Sequence, residues 1–300
     1  MGQTIDGRYT VTGLIGEGGM GTVYRAQHTR IGRMVAIKCL REEYARDQRA
    51  VQGFFNEAMT AATLHHPNIV EATDMGELPS GVPYLVLELL DGRSLHDELD
   101  YQGRLSVRRA MRIAQQIAAG VSAAHEAGII HRDLKSDNVF LIDRDTNPDF
   151  VKIFDFGVAH VLGKAGGDND HVVGTPEFIA PEQITDPTNV DTRVDVYAVG
   201  AILYHMLSGK KPYSELSLPV PELLAHIAQH PPAQLAGVPE DVRLLVEDAM
   251  ARDRDRRIQS LADLAARMKV IVPHTQSSPA LKVAQVAPAP APAVTPPPSA

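Results

Sequence analysis

The stretch HRDLKSDN, residues 131–138, places an imidazole, a guanidinium, an ammonium, two carboxylates and an amide in eight consecutive positions. Charge alone does not separate a reaction centre from a solvated turn, because surface loops are polar for ordinary reasons. The nearby FDFG, residues 154–157, repeats the theme, since its carboxylate stands between the apolar run FVKIF and a flexible glycine. Asn138 and Asp155 supply two hard oxygen ligands of the kind that Mg²⁺ accepts, which leaves Asp133 to accept a proton.

Length and composition indicate a soluble globular protein. With 300 residues, 44% hydrophobic and 22% charged, the chain can bury a core that suits one large domain or two packed lobes. The formal net charge is -8 and no block of Lys and Arg occurs, so a nucleic-acid partner is not expected. Cys39 is the single cysteine, which excludes an intrachain disulfide and suits a reducing cytosol. The longest apolar run, residues 196–207, is too short to span a bilayer, so we expect a cytoplasmic protein without a membrane segment.

The chain changes character twice along its length. Residues 9–90 carry short β-branched runs separated by glycine turns, which predicts strands, and one stretch of helical spacing, VQGFFNEAMTAATL. After Gly92 the pattern is helical, with Ser106 as the expected N-cap of one long helix and Gly209 as the expected end of a later one. Residues 272–300 are rich in Pro and Ala, cannot build a packed core, and are predicted to form a disordered tail.

A glycine-rich loop lies near the start of the strand-rich part. The loop IGEGGMGTV spans residues 15–23 and has a G-x-G-x-x-G spacing at Gly16, Gly18 and Gly21. A dinucleotide-binding fingerprint needs a helix after the glycines, whereas TVYRAQH has strand character, and a Walker A loop needs a lysine where this chain has threonine. The pattern therefore favours a β-hairpin whose backbone approaches phosphates, with Val23 as an apolar lid over a base. A plain glycine-rich hairpin is the alternative.

The run VAIK, residues 35–38, carries a lysine inside an apolar strand. A buried ammonium needs a partner, and Glu57, in the helical stretch FFNEAM, is the candidate. A surface lysine that reaches solvent along its own side chain is the alternative.

Five motifs in order along the chain resemble the signature of the protein kinases. They are the glycine loop, VAIK, HRDLKSDN, DFG and an APE at residues 180–182, and they extend over roughly residues 9–270. The segments HPNIV, DGRSL and GTPEFIAPEQ are most similar to the bacterial Hanks-type (eukaryotic-like) serine/threonine kinases. The resemblance implies an α+β, two-lobed protein-kinase fold, with a small β-rich N-lobe that holds one main helix and a larger, mostly helical C-lobe.

The same resemblance divides the chain into segments. The expected segments are an N-terminal lead 1–8, a kinase domain 9–271 with N-lobe 9–90, C-lobe 91–271 and activation segment 155–182, and the tail 272–300.

The resemblance also implies a role for each motif residue. Lys38, paired to Glu57, would hold the α- and β-phosphates of ATP, and Asn138 and Asp155 would bind Mg²⁺, or Mn²⁺ in its place. Asp133 would orient and deprotonate the substrate hydroxyl. The implied nucleotide pocket, with Leu87 as gatekeeper, the backbone of Glu88 and Leu90 at adenine and Phe140 as floor, comprises Ile15, Gly16, Gly18, Gly21, Val23, Ala36, Lys38, Leu87, Glu88, Leu90 and Phe140.

Two residues of the resemblance indicate Ser/Thr specificity. Lys135 would neutralise the moving phosphoryl group, and Thr175 would hydrogen-bond Asp133 and Lys135. The expected function is ATP-dependent transfer of a phosphoryl group to protein Ser/Thr hydroxyls in signalling, including autophosphorylation. Val158, directly after the DFG glycine, favours threonine as acceptor.

The resemblance assigns structural roles to several further side chains. His131 would pack under Phe156, Glu182 would pair with Arg257, and Asp195 would brace the backbone of the catalytic loop.

Residues 158–174 contain no Ser, Thr or Tyr, so the usual activating phosphorylation of this segment has no acceptor. Asp168 or Asp170 could give Arg132 a permanent partner instead, with His160 as a second basic group, although a plain solvated loop is an equal alternative. We therefore expect control through the tail, a partner or homodimer formation.

Two other functions compete with this interpretation. A small-molecule kinase of the aminoglycoside type shares the lobes but lacks the platform that GTPEFIAPE provides, and a pseudokinase scaffold would be expected to lose Lys38, Asp133 or Asp155. All three are present.

Overall fold

The computed structural model describes residues 2–19, 21–144, 147–156 and 175–274, except for the side chains of Glu57 and of residues 272–274. A strand-rich part comes first in the chain and a mostly helical part follows it, as the sequence predicts.

The first part is built on an antiparallel sheet of six strands in the order β1-β2-β3-β4-β6-β5. The apolar side chains of these strands collect in one core, in which Ile37 and Tyr84 are fully buried. The strands are β1 (Thr4–Ile5), β2 (Tyr9–Glu17), β3 (Gly21–His28), β4 (Met34–Leu40), β5 (Ala72–Glu77) and β6 (Pro83–Glu88).

The predicted helix of the first part is α1, Gln48–Thr63. Asp47 caps its N-terminus by accepting a hydrogen bond from the backbone N–H of Arg49. Phe54 and Ala58, one turn apart, are buried in the same core as the sheet. The helix is therefore held by its apolar face against the strands.

The second part is mostly helical. Its helices are α2 (Leu95–Gln102), α3 (Val107–Glu126), α4 (Pro181–Thr185), α5 (Arg193–Ser208), α6 (Val220–Gln229), α7 (Glu240–Ala249) and α8 (Leu261–His274). Ser106 caps α3 and Gly209 ends α5 in the left-handed conformation, so both predicted boundaries are confirmed.

Helix α5 forms the centre of the helical part. It is apolar on all sides and buried from Val194 to Leu207, which is the pattern of a helix surrounded by others. Gly200 allows close approach of α7, because a Cβ at that position would lie 2.9 Å from the Cβ of Ala249. In the described parts of the chain, no helix combines the length and the apolar character that crossing a membrane requires.

A second, three-stranded sheet lies where the two parts meet. Its strands are β7 (Gly92–Ser94), β8 (Val139–Arg144) and β9 (Asn147–Ile153), of which β8 and β9 follow the catalytic stretch and precede Asp155. Ile153 forms a parallel bridge with Ile69 of the first part. This sheet therefore brings both acidic motifs to the junction of the two lobes.

Candidate active site

The side chain of His131 packs against the segment that carries Asp155. The side chain is fully buried, its ring centroid lies 4.6 Å from that of Phe156, and its Nε2 lies 3.2 Å from the carbonyl oxygen of Phe154. The side chain thus links the two acidic motifs by packing, as the sequence predicts.

Asp195 fixes the backbone of the same stretch. Its fully buried carboxylate accepts the backbone N–H groups of His131 at 2.8 Å and Arg132 at 2.9 Å. It also lies 2.7 Å from Nε2 of His125, a partner that the sequence did not reveal. Arg132 has a φ of 66°, a conformation that is unfavourable for a residue with a side chain, and these hydrogen bonds offset its cost.

Asp133 and Lys135 form an ion pair beside this anchor. The Nζ of Lys135 lies 2.9 Å from Oδ2 of Asp133, whose side chain is 29% exposed. The buried Asn138 donates its Nδ2 to the carbonyl oxygen of Asp133 at 2.8 Å, and this bond fixes the orientation of its carboxamide. The loop therefore presents a carboxylate, an ammonium and an amide oxygen in one place.

Lys38 and Asp155 join the two lobes. The Nζ of Lys38, on β4, lies 2.6 Å from Oδ1 of Asp155, and the two side chains are 14% and 31% exposed. The cation thus has a carboxylate partner at the junction. The predicted pair of Lys38 with Glu57 cannot be compared, since the side chain of Glu57 lies outside the described residues.

The predicted nucleotide residues of the first lobe share one face of the sheet. Val23 lies opposite Lys38, and Ala36 lies opposite Leu87, in neighbouring antiparallel strands. Because directly opposite residues, and residues two apart on a strand, point to the same face, these four side chains form one surface. Gly16 lies opposite Val23 on this surface.

Two glycines of the loop differ in what surrounds them. A Cβ at Gly21 would lie 2.7 Å from the carbonyl oxygen of Cys39, so this glycine is required by the neighbouring strand. A Cβ at Gly16 would meet no atom within 4 Å, and at Gly18 only the carbonyl oxygen of Gly21, at 3.7 Å. The space beside Gly16 and Gly18 is where a phosphate could approach the backbone.

The remaining predicted pocket residues lie on β2, on β8 and around the hinge, the segment at the end of β6 where the chain passes from the first lobe to the second. Ile15 is exposed on β2, and Glu88 and Leu90 are half-buried at and after the end of β6. Phe140, on β8, is half-buried, and its ring packs edge-on against that of Phe154 at 6.3 Å between centroids.

Lys152 is a residue of this region that the sequence analysis missed. It is buried on β9, and its Nζ lies 2.5 Å from Oε1 of Glu88 and 3.3 Å from the carbonyl oxygen of Ile69. The strand before Asp155 is thereby tied to the hinge residue. The sequence signal that identifies Lys38, a lysine inside an apolar strand, also applies to Lys152 in the run FVKIF.

An ion pair between Arg257 and Glu182 lies on the substrate side of the site. Arg257, fully buried, forms two hydrogen bonds to the carboxylate of Glu182, at 2.6 and 2.8 Å, so the predicted pair is confirmed. In the part of the chain that the structure describes, Thr175 makes no hydrogen bond to Asp133 or Lys135, and its predicted contact stays a prediction. The expectations on Val158, His160, Asp168 and Asp170 fall outside the described residues.

A β-rich lobe, a helical lobe and a lysine-carboxylate pair at their junction define the protein-kinase fold. The Protein kinase domain family matches residues 9–268, and the chain belongs to that family. The solved kinase domain of Mycobacterium tuberculosis PknI is similar, with a TM-score of 0.69 and 27% identity over 90% of this chain and 97% of that one.

Named relatives point to one branch of the family. The chain is 39% identical over 237 residues to the serine/threonine-protein kinase pkn3 of Myxococcus xanthus, covering 77% of this chain and 43% of that protein. It is 36% identical over 278 residues to the serine/threonine-protein kinase PknA of Mycobacterium tuberculosis, covering 90% of this chain and 63% of that protein. The chain therefore spans about half the length of these curated relatives.

Proposed function

We propose that this chain is an ATP-dependent serine/threonine protein kinase that transfers the γ-phosphoryl group of Mg²⁺-ATP to protein hydroxyls. The observation that carries the proposal is the pair of contacts at the lobe junction, Asp133 with Lys135 and Lys38 with Asp155. These contacts gather a base and two cations where phosphoryl transfer needs them.

Asp133 is the proposed base. Its Oδ2 is engaged by Lys135, and its Oδ1 makes no hydrogen bond within the described residues, so that oxygen can accept the proton of a substrate hydroxyl. Lys135 holds the carboxylate in place and adds positive charge beside the transferring group. Positioning and charge are the main needs of this reaction, because the transition state requires little covalent help.

The donors around Asn138 and Asp155 fit a hard divalent cation. The Nδ2 of Asn138 is used by the backbone of Asp133, which leaves its Oδ1 as a ligand, and Asp155 offers a carboxylate. When bound, Mg²⁺-ATP supplies the phosphoryl group and part of the charge neutralisation. We propose Mg²⁺ as the usual metal and Mn²⁺ as a substitute, since both accept oxygen ligands.

The proposed nucleotide pocket lies under the sheet face described above. Gly16 and Gly18 leave room for phosphates, which Lys38 would hold, while Val23 and Ala36 would cover the base. Leu87, Glu88, Leu90 and Phe140 would line the adenine, and Ile15 and Gly21 complete the glycine loop.

The proposal also covers the preferred acceptor residue and the limits of the kinase domain. We keep the kinase domain at 9–271, close to the family match, with threonine preferred over serine as acceptor. The proposal includes action in a reducing cytoplasm, in which a lone free thiol such as the buried Cys39 is ordinary. Autophosphorylation and homodimer formation remain part of the proposal.

A phosphotransfer assay tests the function directly. The purified chain is incubated with γ-labelled ATP, Mg²⁺ or Mn²⁺, casein and the aminoglycoside kanamycin, and the products are separated by mass spectrometry and phosphoamino-acid analysis. We expect label on protein threonine and serine, and no transfer by Lys38→Met. Label on kanamycin, on tyrosine alone, or on nothing would contradict the proposal, and peptide pairs that differ only in Ser or Thr test the acceptor preference.

A further inference from the structure

Ser136 and His205 form a buried hydrogen bond behind the catalytic loop. Ser136 opens the 3-10 turn Ser136–Asn138 and is fully buried, while His205 lies near the end of α5 and is 3% exposed. The Oγ of Ser136 lies 2.8 Å from Nδ1 of His205. Among the described residues, neither side chain hydrogen-bonds to Asp133, Lys135 or Asp155, and the sequence motifs assign no role to either.

The ring of His205 is neutral near physiological pH. Burial lowers its pKa to about 4, and the charges of Lys211 and His96 act in the same direction, against Asp100 and Asp137. A neutral imidazole keeps one donor nitrogen and one acceptor nitrogen, so the bond to the hydroxyl persists without a charge to solvate.

His205 also contacts two other segments. Its ring centroid lies 6.0 Å from that of Phe178, in the turn Pro176–Phe178 that follows Thr175, and 6.4 Å from that of His96 on α2. Pairs of rings at this spacing pack favourably. One buried side chain therefore touches the catalytic turn and the segment on the substrate side.

Helix α5 holds the catalytic stretch at both ends. Asp195, in its first turn, binds the backbone of His131 and Arg132, and His205, about 15 Å further along the helix, binds Ser136. The turn that Ser136 opens carries Asn138, which donates to the carbonyl oxygen of Asp133. A shift of Ser136 would therefore displace Asn138 and Asp133.

We propose that His205 is a positioning residue for the metal-binding turn, and that it acts through the hydroxyl of Ser136 on Asn138. The inference rests on the proposed function, since it takes Asn138 as a metal ligand. The hydrogen bond between Ser136 and His205 should therefore affect the affinity for the metal and the turnover rate. It should have little effect on the affinity for the protein substrate.

Three variants test the bond from both sides. Ser136→Ala removes one oxygen without adding volume, His205→Phe keeps a ring without a hydrogen-bonding atom, and His205→Asn keeps such an atom near the position of Nδ1. The measurements are kcat, the Mg²⁺ concentration for half-maximal rate, KM for a peptide, and the affinity for Mn²⁺ with the non-hydrolysable ATP analogue AMP-PNP by calorimetry.

We expect Ser136→Ala and His205→Phe to weaken metal binding and lower kcat by about three- to tenfold, the range for losing one hydrogen bond, with KM for the peptide unchanged. His205→Asn should recover most of the loss. In a double-mutant cycle, Ser136→Ala should add nothing to His205→Phe, because the bond is already broken.

Several outcomes would overturn the proposal. Additive losses, unchanged metal affinity together with a lowered Tm, or a raised peptide KM would each assign the pair a purely structural role. If the parent chain transfers no phosphate, the proposed function fails, while calorimetry with Mn²⁺ and AMP-PNP still decides the positioning role. If His205→Phe fails to fold, the comparison of Ser136→Ala with the parent chain decides.

Discussion

Removing the charge of Glu182 tests how much its buried ion pair stabilises the helical lobe. Glu182→Gln keeps the size of the side chain but leaves the guanidinium of Arg257 buried without its carboxylate. Arg257 retains hydrogen bonds to the carbonyl oxygens of Ala251 at 2.9 Å and Arg193 at 2.8 Å, which compensate part of the loss.

The expected magnitude follows from this environment. Removing one partner of a buried ion pair costs about 3–5 kcal/mol. The retained carbonyl contacts favour the lower end, about 3 kcal/mol, which corresponds to a fall in Tm of about 6–12 °C for a domain of this size.

The assay is thermal unfolding without nucleotide, followed by circular dichroism. The matched control is Glu215→Gln, which breaks the solvent-exposed pair with Lys210 and should leave Tm unchanged. If Glu182→Gln and Glu215→Gln melted at the same temperature as the parent chain, the buried pair would not have the assigned role.

Lys152→Met should raise the KM for ATP by about three- to tenfold with little change in kcat, since it breaks the tie to the hinge at Glu88, and an unchanged KM would refute that role. Gly21→Ala should lower Tm, because its Cβ would lie 2.7 Å from a carbonyl oxygen, whereas Gly16→Ala, whose Cβ meets open space, should not; equal melting temperatures would contradict this difference. The stability contributed by neutral His205 is present above about pH 6.5 and is lost as the pH falls toward about 4, because the imidazole takes up a proton at higher pH in the unfolded chain than in the folded one. His205→Asn should therefore flatten the pH dependence of the free energy of unfolding between these values. An identical slope in the variant would contradict the buried, neutral state of His205.

The motifs could be predicted from the sequence because their chemistry restricts the residue types. Lys38 contacts Asp155, and Asn138 contacts Asp133, while the caps and ends of α3 and α5 follow local rules. The pair of Glu182 with Arg257 was also predicted, but only through the family resemblance, since nothing local connects residues so far apart.

The contacts that were missed join distant parts of the chain. Lys152 pairs with Glu88 across 64 positions, His125 with Asp195 across 70, and Ser136 with His205 across 69. Local patterns carry no information on which side chain a buried polar group meets. The available signal was weaker. A lone polar residue in an apolar stretch, such as His205 in the second half of α5, needs a hydrogen-bond partner when it is buried.

The turnover of Asp133→Asn tests the central claim most directly. The variant keeps the shape of the side chain and loses the base, so nucleotide affinity measured by calorimetry should be unchanged while the transfer rate falls by about two to four orders of magnitude. Asp143→Asn, at an exposed position of β8, is the matched control and should transfer phosphate at close to the parent rate. Phosphorylation by Asp133→Asn at near the parent rate would contradict the assignment of the active site.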